Sequence, residues 1–227
     1  MGEILGLVTI GQSPRPDFEA AFRQFVPRAE IRLLGALDGL ERSAIEQLAA
    51  SSEEYPLHTK LADGTTVDIP MSALAPLVAE RARQLAEAGA ALVVVLCAGG
   101  FPEFDCPVPV LLPGKVMPAV AGVLSRTRRI GVVTPIRGQV EAARKKWQSD
   151  GFEVRVVHAS PYRHDEIRSA AAELADPSLD LIVLDCMGHD TDYQREFARY
   201  CGRPVLLAQT LTARVAGEFM DGWVGHA

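Results

Sequence analysis

Runs of apolar residues alternate along the chain with segments in which apolar positions recur at helical spacing. The clearest strand-like runs lie near 3–10, 30–34, 91–97, 108–112, 129–134, 153–158, 180–186 and 204–208. They are continuously apolar rather than alternating, so sheets covered on both faces are predicted. Between them, "SALAPLVAERARQLAEAG" (72–89) repeats Leu74, Leu77, Val78, Ala82 and Leu85 at helical intervals, with Gly89 as a stop. "RGQVEAARKKWQSDG" (137–151) reads as a second helix, ended by Gly151. The pattern predicts an α/β protein with mostly parallel sheets. One region stands apart: "YPLHTKLADGTTVDIP" (55–70) predicts a β-hairpin with a tight primed turn at Asp63-Gly64. Its role as lid, interface arm or ornament is left open by the sequence.

The pattern occurs twice. "GLVT" (6–9) opens the first half and "GVVT" (131–134) the second, while "CPVPVLLPGKVMPAVAG" (106–122) resembles "CGRPVLLAQTLTARVAG" (201–217) with PVLL and VAG at equal spacing. We read two copies of one α/β unit. The expected architecture is two pseudo-symmetric lobes, each a mostly parallel open sheet flanked by helices, with a cleft between them. Residues 1–112 with 209–227 would form one lobe and 113–208 the other. Open parallel sheets bind ligands beyond the carboxyl ends of their strands. Thr9, Cys97, Thr134 and Cys186 all fall at such ends.

Composition narrows the function. The 227 residues are 48% hydrophobic with a formal charge of −6, which argues against nucleic acid and anionic membrane surfaces as partners. No apolar run is long enough to cross a bilayer. The N-terminus does not read as a signal peptide, and Met1-Gly2 opens a poor myristoylation site because Gly6 stands where Ser or Thr is wanted. The four cysteines, Cys97, Cys106, Cys186 and Cys201, show no CxxC spacing, so reduced cytoplasmic thiols are expected. Cys186 and His189 lack a second ligand pair, and no metal is expected. A homo-oligomer is compatible with all of this.

Two thiols at equivalent strand ends suggest proton transfer without a metal or organic cofactor. One thiolate would remove a proton from the carbon beside a small carboxylate, and the other thiol would return one to the opposite face. The glycines of "CAGG" (97–100) and "CMGH" (186–189) suit anion-binding turns through close backbone approach and positive φ, which makes Ala98, Gly99, Gly100, Met187 and Gly188 candidate substrate contacts. His189, with an ordinary imidazole pKa, would orient or protonate Cys186 or the substrate, and Asp190 would support it. A cysteine ending an apolar strand is more commonly a small buried hydrophobe; the duplicated placement sets these two apart. Cys106 and Cys201 precede strands and read as structural. So do His58, His158, His164 and His226, as packing or solvated residues.

"TIGQSPRPD" (9–17) is a rigid two-proline loop. Thr9, Gln12 and Ser13 can donate hydrogen bonds to a ligand and Arg15 can hold a carboxylate bidentately, with Asp17 as a helix cap. An ordinary βα loop with a solvated arginine is the plain alternative. No GxGxxG or P-loop lysine supports nucleotide binding.

"GLVTIGQSPRPD", "VVLCAGGF" and "LDCMGH" together resemble the AroM family, a branch of the aspartate/glutamate racemase superfamily, over nearly the whole chain. The resemblance implies two related α/β halves and two-thiol, cofactor-free chemistry, with Cys97 matching the first thiol and Cys186 the second. Amino-acid racemases of the superfamily typically carry Asn-Thr after the first cysteine and Thr-His after the second. Here Ala98-Gly99 and Met187-Gly188 stand instead, with His189 one position later, so the substrate is not read from the motif. Three functions are compatible with these residues: a racemase or isomerase for a small carboxylate or amino acid, a one-thiol isomerase or decarboxylase, and a non-catalytic binder of a small carboxylate.

Overall fold

In a computed structural model, residues 3–51 and 54–223 are described. Met1, Gly2 and His226 lie outside them. The elements run β1 (Ile4–Thr9), α1 (Pro16–Arg23), β2 (Glu30–Gly35), α2 (Arg42–Ala49), β3 (Pro56–Lys60), β4 (Thr66–Pro70), α3 (Met71–Glu87), β5 (Ala90–Val95) and β6 (Val110–Leu111). They continue with α4 (Pro113–Leu124), β7 (Arg129–Thr134), α5 (Val140–Ser149), β8 (Glu153–His158), α6 (Ile167–Glu173), β9 (Leu181–Leu184), α7 (Thr191–Cys201), β10 (Val205–Leu207) and α8 (Ala208–Gly222). Two compact units result. One holds Met1–Cys97, Phe101–Pro113 and Thr212–Ala227; the other holds Ala98–Gly100 and Gly114–Leu211.

The first unit is built on a parallel sheet of order β2-β1-β5-β6, the second on one of order β10-β9-β7-β8. Read from β8, the second repeats the first: the opening strand is central, its successor lies on one side, and the next two lie on the other. The pairings agree in detail. Thr9 ends β1 opposite Gly35, and Thr134 ends β7 opposite His158. Just past β5, the Leu96 N–H donates to Val8 O at 2.8 Å; just past β9, the Asp185 N–H donates to Val133 O at 2.9 Å. The next residues are Cys97 and Cys186. The duplication read from the sequence is therefore a duplication of structure.

Continuous apolar strands are covered on both faces, as the pattern requires. Leu5, Leu7, Val8 and Val93 to Val95 are buried in the first unit, and Ile130, Val132, Val133 and Leu181 to Leu184 in the second. Helix α3 lays Leu74, Val78, Ala82 and Leu85 against its sheet. Burying each such leucine fully contributes roughly 2–3 kcal/mol.

The hairpin forms but its turn differs from the expected two-residue type. Leu61 N donates to Thr65 O at 2.8 Å and Gly64 N to Leu61 O at 3.0 Å, with Gly64 at φ +84. This is a type I turn closed by a left-handed glycine. Asp63 Oδ1 accepts from both the N–H and the hydroxyl of Thr65, at 2.8 and 2.6 Å, which draws the aspartate into an Asx turn. Leu57, Leu61 and Ile69 enter the core of the first unit. The hairpin is thus a packed part of that unit and not an ornament.

Candidate active site

Cys186 stands two residues beyond β9 and is partly exposed. Its turn folds back so that Gly188 N donates to the sulfur at 3.4 Å and His189 N to Cys186 O at 3.4 Å. Gly188 permits a close approach: a Cβ there would press on Pro161 Cγ at 3.1 Å and touch the Cys186 sulfur at 3.6 Å. The expected positive φ is not the reason, because neither Gly188 nor Gly100 adopts it. The turn is held from the other side by Gln209 at the start of α8, whose Nε2 donates to Met187 O at 3.0 Å.

His189 is fully buried. Its Nε2 lies 3.1 Å from Ala159 O. A carbonyl can only accept, so Nε2 carries the proton and Nδ1 is the bare nitrogen. Nδ1 is buried without a hydrogen-bond partner among the described residues. The ring sits 4.4 Å from that of Tyr193. Burial dominates the imidazole's titration and pushes its pKa down to about 4, against smaller raising effects from Ala159 O and the Asp190 charge. His189 is therefore neutral near pH 7, and the ordinary imidazole pKa behind its expected proton-carrying role is not retained. Asp190 does not bond to it; Asp190 caps α7 by accepting from Tyr193 N at 2.8 Å.

Cys97 stands two residues beyond β5 and is 9% exposed. The turn after it is enclosed by α4, where a Cβ on Gly114 would collide with Gly99 O. Ala98 is buried, and its carbonyl accepts from Lys146 Nζ at 2.8 Å. Lys146 also contacts Asp185 Oδ2 at 3.2 Å and Oδ1 at 3.4 Å, and the adjacent Trp147 Nε1 donates to Asp185 Oδ2 at 2.8 Å. Sequence reading missed Lys146, Trp147 and Gln209. Nothing local marks them, since Lys146 lies 48 residues from Ala98 and 39 from Asp185.

The 9–17 loop turns its polar groups on its own unit. Ser13 donates its N–H and hydroxyl to Asp38 at 2.7 and 2.8 Å, and Gly35 N adds a third bond to that carboxylate at 2.7 Å. Gln12 Nε2 donates to Leu37 O at 3.3 Å while its Oε1 accepts from Ala62 N at 3.0 Å. Thr9 Oγ1 accepts from Gly11 N at 3.4 Å. Gly11 lies so close to Lys60 O that a Cβ would collide with it. Arg15 is neither solvated nor open: it is buried, forks onto Asp17 at 2.9 and 2.6 Å, and lies 4.0 Å over the Phe18 ring. Asp17 therefore does not cap α1, which begins at Pro16. Burial acts to raise the Asp17 carboxyl, yet Arg15 overcomes it and the pKa is lowered. In the second unit, the Thr134 hydroxyl is likewise internal, donating toward Ile136 O and Val157 O at 3.2 and 3.3 Å.

The four cysteines form no disulfide. Cys106 Sγ lies 3.8 Å from Ala82 O, and Cys201 is buried at the end of α7, where burial pushes its thiol pKa up. Among the described residues, no group of three or more His, Cys, Asp or Glu side chains is placed to hold a metal ion, and no helix is long and apolar enough to cross a membrane.

The sequence profile of the family described as AroM protein matches residues 5–220. The chain belongs to the AroM family. No curated protein matches the sequence. Solved structures do match the fold of this AroM protein. Maleate isomerase from Pseudomonas putida is 13% identical with a TM-score of 0.68, over 97% of this chain and 94% of that one. Allantoin racemase from Klebsiella pneumoniae is 17% identical with a TM-score of 0.65, over 97% and 88%. A glutamate racemase from Bacillus anthracis is 13% identical with a TM-score of 0.65, over 96% and 82%. At these identities the likeness establishes the fold of this AroM protein and nothing further.

Proposed function

We propose that this AroM protein is a cofactor-independent, racemase- or isomerase-like enzyme that moves protons on a small carboxylate or amino acid with Cys97 and Cys186. The observation that carries the reading is the equivalence of the two cysteines, each one residue past the matched bonds Leu96 N to Val8 O and Asp185 N to Val133 O. A thiol ionises close enough to neutrality to serve as either acid or base. In the reaction, one thiolate takes the proton from the carbon next to the carboxylate, and the C–H electron pair is left on the substrate as an enolate. The other thiol then protonates the opposite face. The substrate's atoms are unchanged, and the two sulfurs exchange protonation states. Backbone N–H groups of the turns at 98–100 and 187–188 would hold the carboxylate. His189 would act as a neutral group that shapes the Cys186 turn. The polar side chains of the 9–17 loop support that loop and are not assigned to the substrate. Thiols used in this way must stay reduced, which fits a cytoplasmic protein.

A one-thiol isomerase or decarboxylase is the second reading. It is favoured by the difference between the sites: Cys186 is partly exposed with an N–H on its sulfur, while Cys97 is buried. The deciding experiment incubates the protein with small carboxylic and amino acids in deuterated water and follows deuterium at carbon. Two-thiol transfer requires that Cys97→Ser and Cys186→Ser each abolish turnover. Loss in Cys186→Ser alone selects the one-thiol reading. Ligand binding without exchange, retained in both variants, selects the non-catalytic binder.

A further inference from the structure

Lys146 and Asp185 form a nearly closed ion pair, with side chains 14% and 3% exposed. Energetically such a pair is a poor stabiliser, because removing both charges from water costs about as much as their attraction returns. Its placement suggests another role. Asp185 is bonded directly to Cys186 in the chain, and Ala98 directly to Cys97. One ammonium on α5 holds the Asp185 carboxylate and the Ala98 carbonyl at once, at 3.2 and 2.8 Å. Trp147 fixes the carboxylate further.

We propose that Lys146 and Asp185 are positioning residues for both reactive thiols. Lys146 pins the turn that follows Cys97 and, by pairing with Asp185, keeps an uncompensated carboxylate from opposing ionisation of Cys186. The proposal rests on the reading that these two thiols are the reactive ones. The other titratable groups around the Cys186 turn are His189, Asp190 and Tyr193, with Glu166, Glu196 and His164 beside Tyr193; Glu196 lies 3.7 Å from His164. His189 is neutral at neutral pH. The Asp190 carboxylate is committed to the cap of α7, and that of Glu166 accepts from Ser160 N at 2.8 Å. Asp185 is thus the carboxylate that Lys146 faces directly, at 3.2 Å.

The test is residue-resolved alkylation across pH in the full chain, comparing wild type with Lys146→Met, Asp185→Asn and the double variant. Lys146→Met removes the cation that faces Asp185, and should slow Cys186 at mildly acidic pH by roughly fivefold or more. Asp185→Asn leaves the ammonium unbalanced and should speed Cys186 by a comparable factor. The double variant should return Cys186 toward wild type but leave Cys97 altered, because the Ala98 tether is gone. Opposite signs from the two single variants are what a merely structural pair would not produce. Shifts in the same direction, or Asp185→Asn within about twofold of wild type, overturn the proposal. If Lys146→Met does not fold, the near-isosteric Asp185→Asn decides alone. Wild-type Cys186 reacting no faster than Cys201 would instead count against the proposed function, whichever way the variants move.

Discussion

The backbone N–H of Gly188 points at the sulfur of Cys186 from 3.4 Å. A thiolate gains more from such a donor than a thiol does, so the turn favours the ionised form. The same glycine cannot become larger without pressing on Pro161.

Gly188→Ala should therefore displace the turn, lowering the free energy of unfolding by about 1–2 kcal/mol and slowing alkylation of Cys186. Gly100→Ala is the contrasting case. A Cβ at Gly100 meets nothing within 4 Å, and stability should stay within about 0.5 kcal/mol of wild type. Urea unfolding of both variants checks the pair.

His189 carries a pH signature. Its folded pKa of about 4 lies below the ordinary imidazole value of 6.5. The unfolded chain thus binds more protons than the folded one between those values, and stability must fall as pH drops through that window. The effect reaches about 3 kcal/mol near its lower end and vanishes above pH ~6.5. His189→Gln keeps a donor for Ala159 O but cannot titrate, so this part of the dependence should disappear. Denaturation curves for both proteins at a series of pH values measure it.

Asp38 should prove more important to the 9–17 loop than any residue within it. It accepts three hydrogen bonds, two from Ser13 and one from Gly35. Asp38→Ala leaves all three donors without their carboxylate and should cost roughly 2–4 kcal/mol, with faster proteolysis in the loop. A loss below about 0.5 kcal/mol would contradict this assignment.

The limits of the sequence show in the same residues. The sheets were legible because Val93 to Val95 and Leu181 to Leu184 are apolar on both faces, a local property. The equivalence of Cys97 and Cys186 was legible because each is tied to its own strand. The internal partners of the 9–17 loop were not legible, because sequence shows donors and not what they meet. Gln12, Ser13 and Arg15 look available for a ligand until Asp38, Ala62 and Asp17 are seen to take them. The titration of His189 was not legible for the same reason, since it depends on burial beneath Ala159 and Tyr193. Lys146 was invisible because its meaning lies in Ala98 and Asp185, which only the fold brings to it.

Alkylation of wild-type cysteines, followed residue by residue by mass spectrometry at mildly acidic pH with and without small dicarboxylates and amino acids, measures whether Cys186 is an activated thiol. Cys186 should react faster than Cys106, and faster than Cys201, whose buried thiol is held above its ordinary range. A small acid that fills the site should protect it. Cys186 reacting no faster than those two, with no protection by any acid, would contradict an activated thiol at this position.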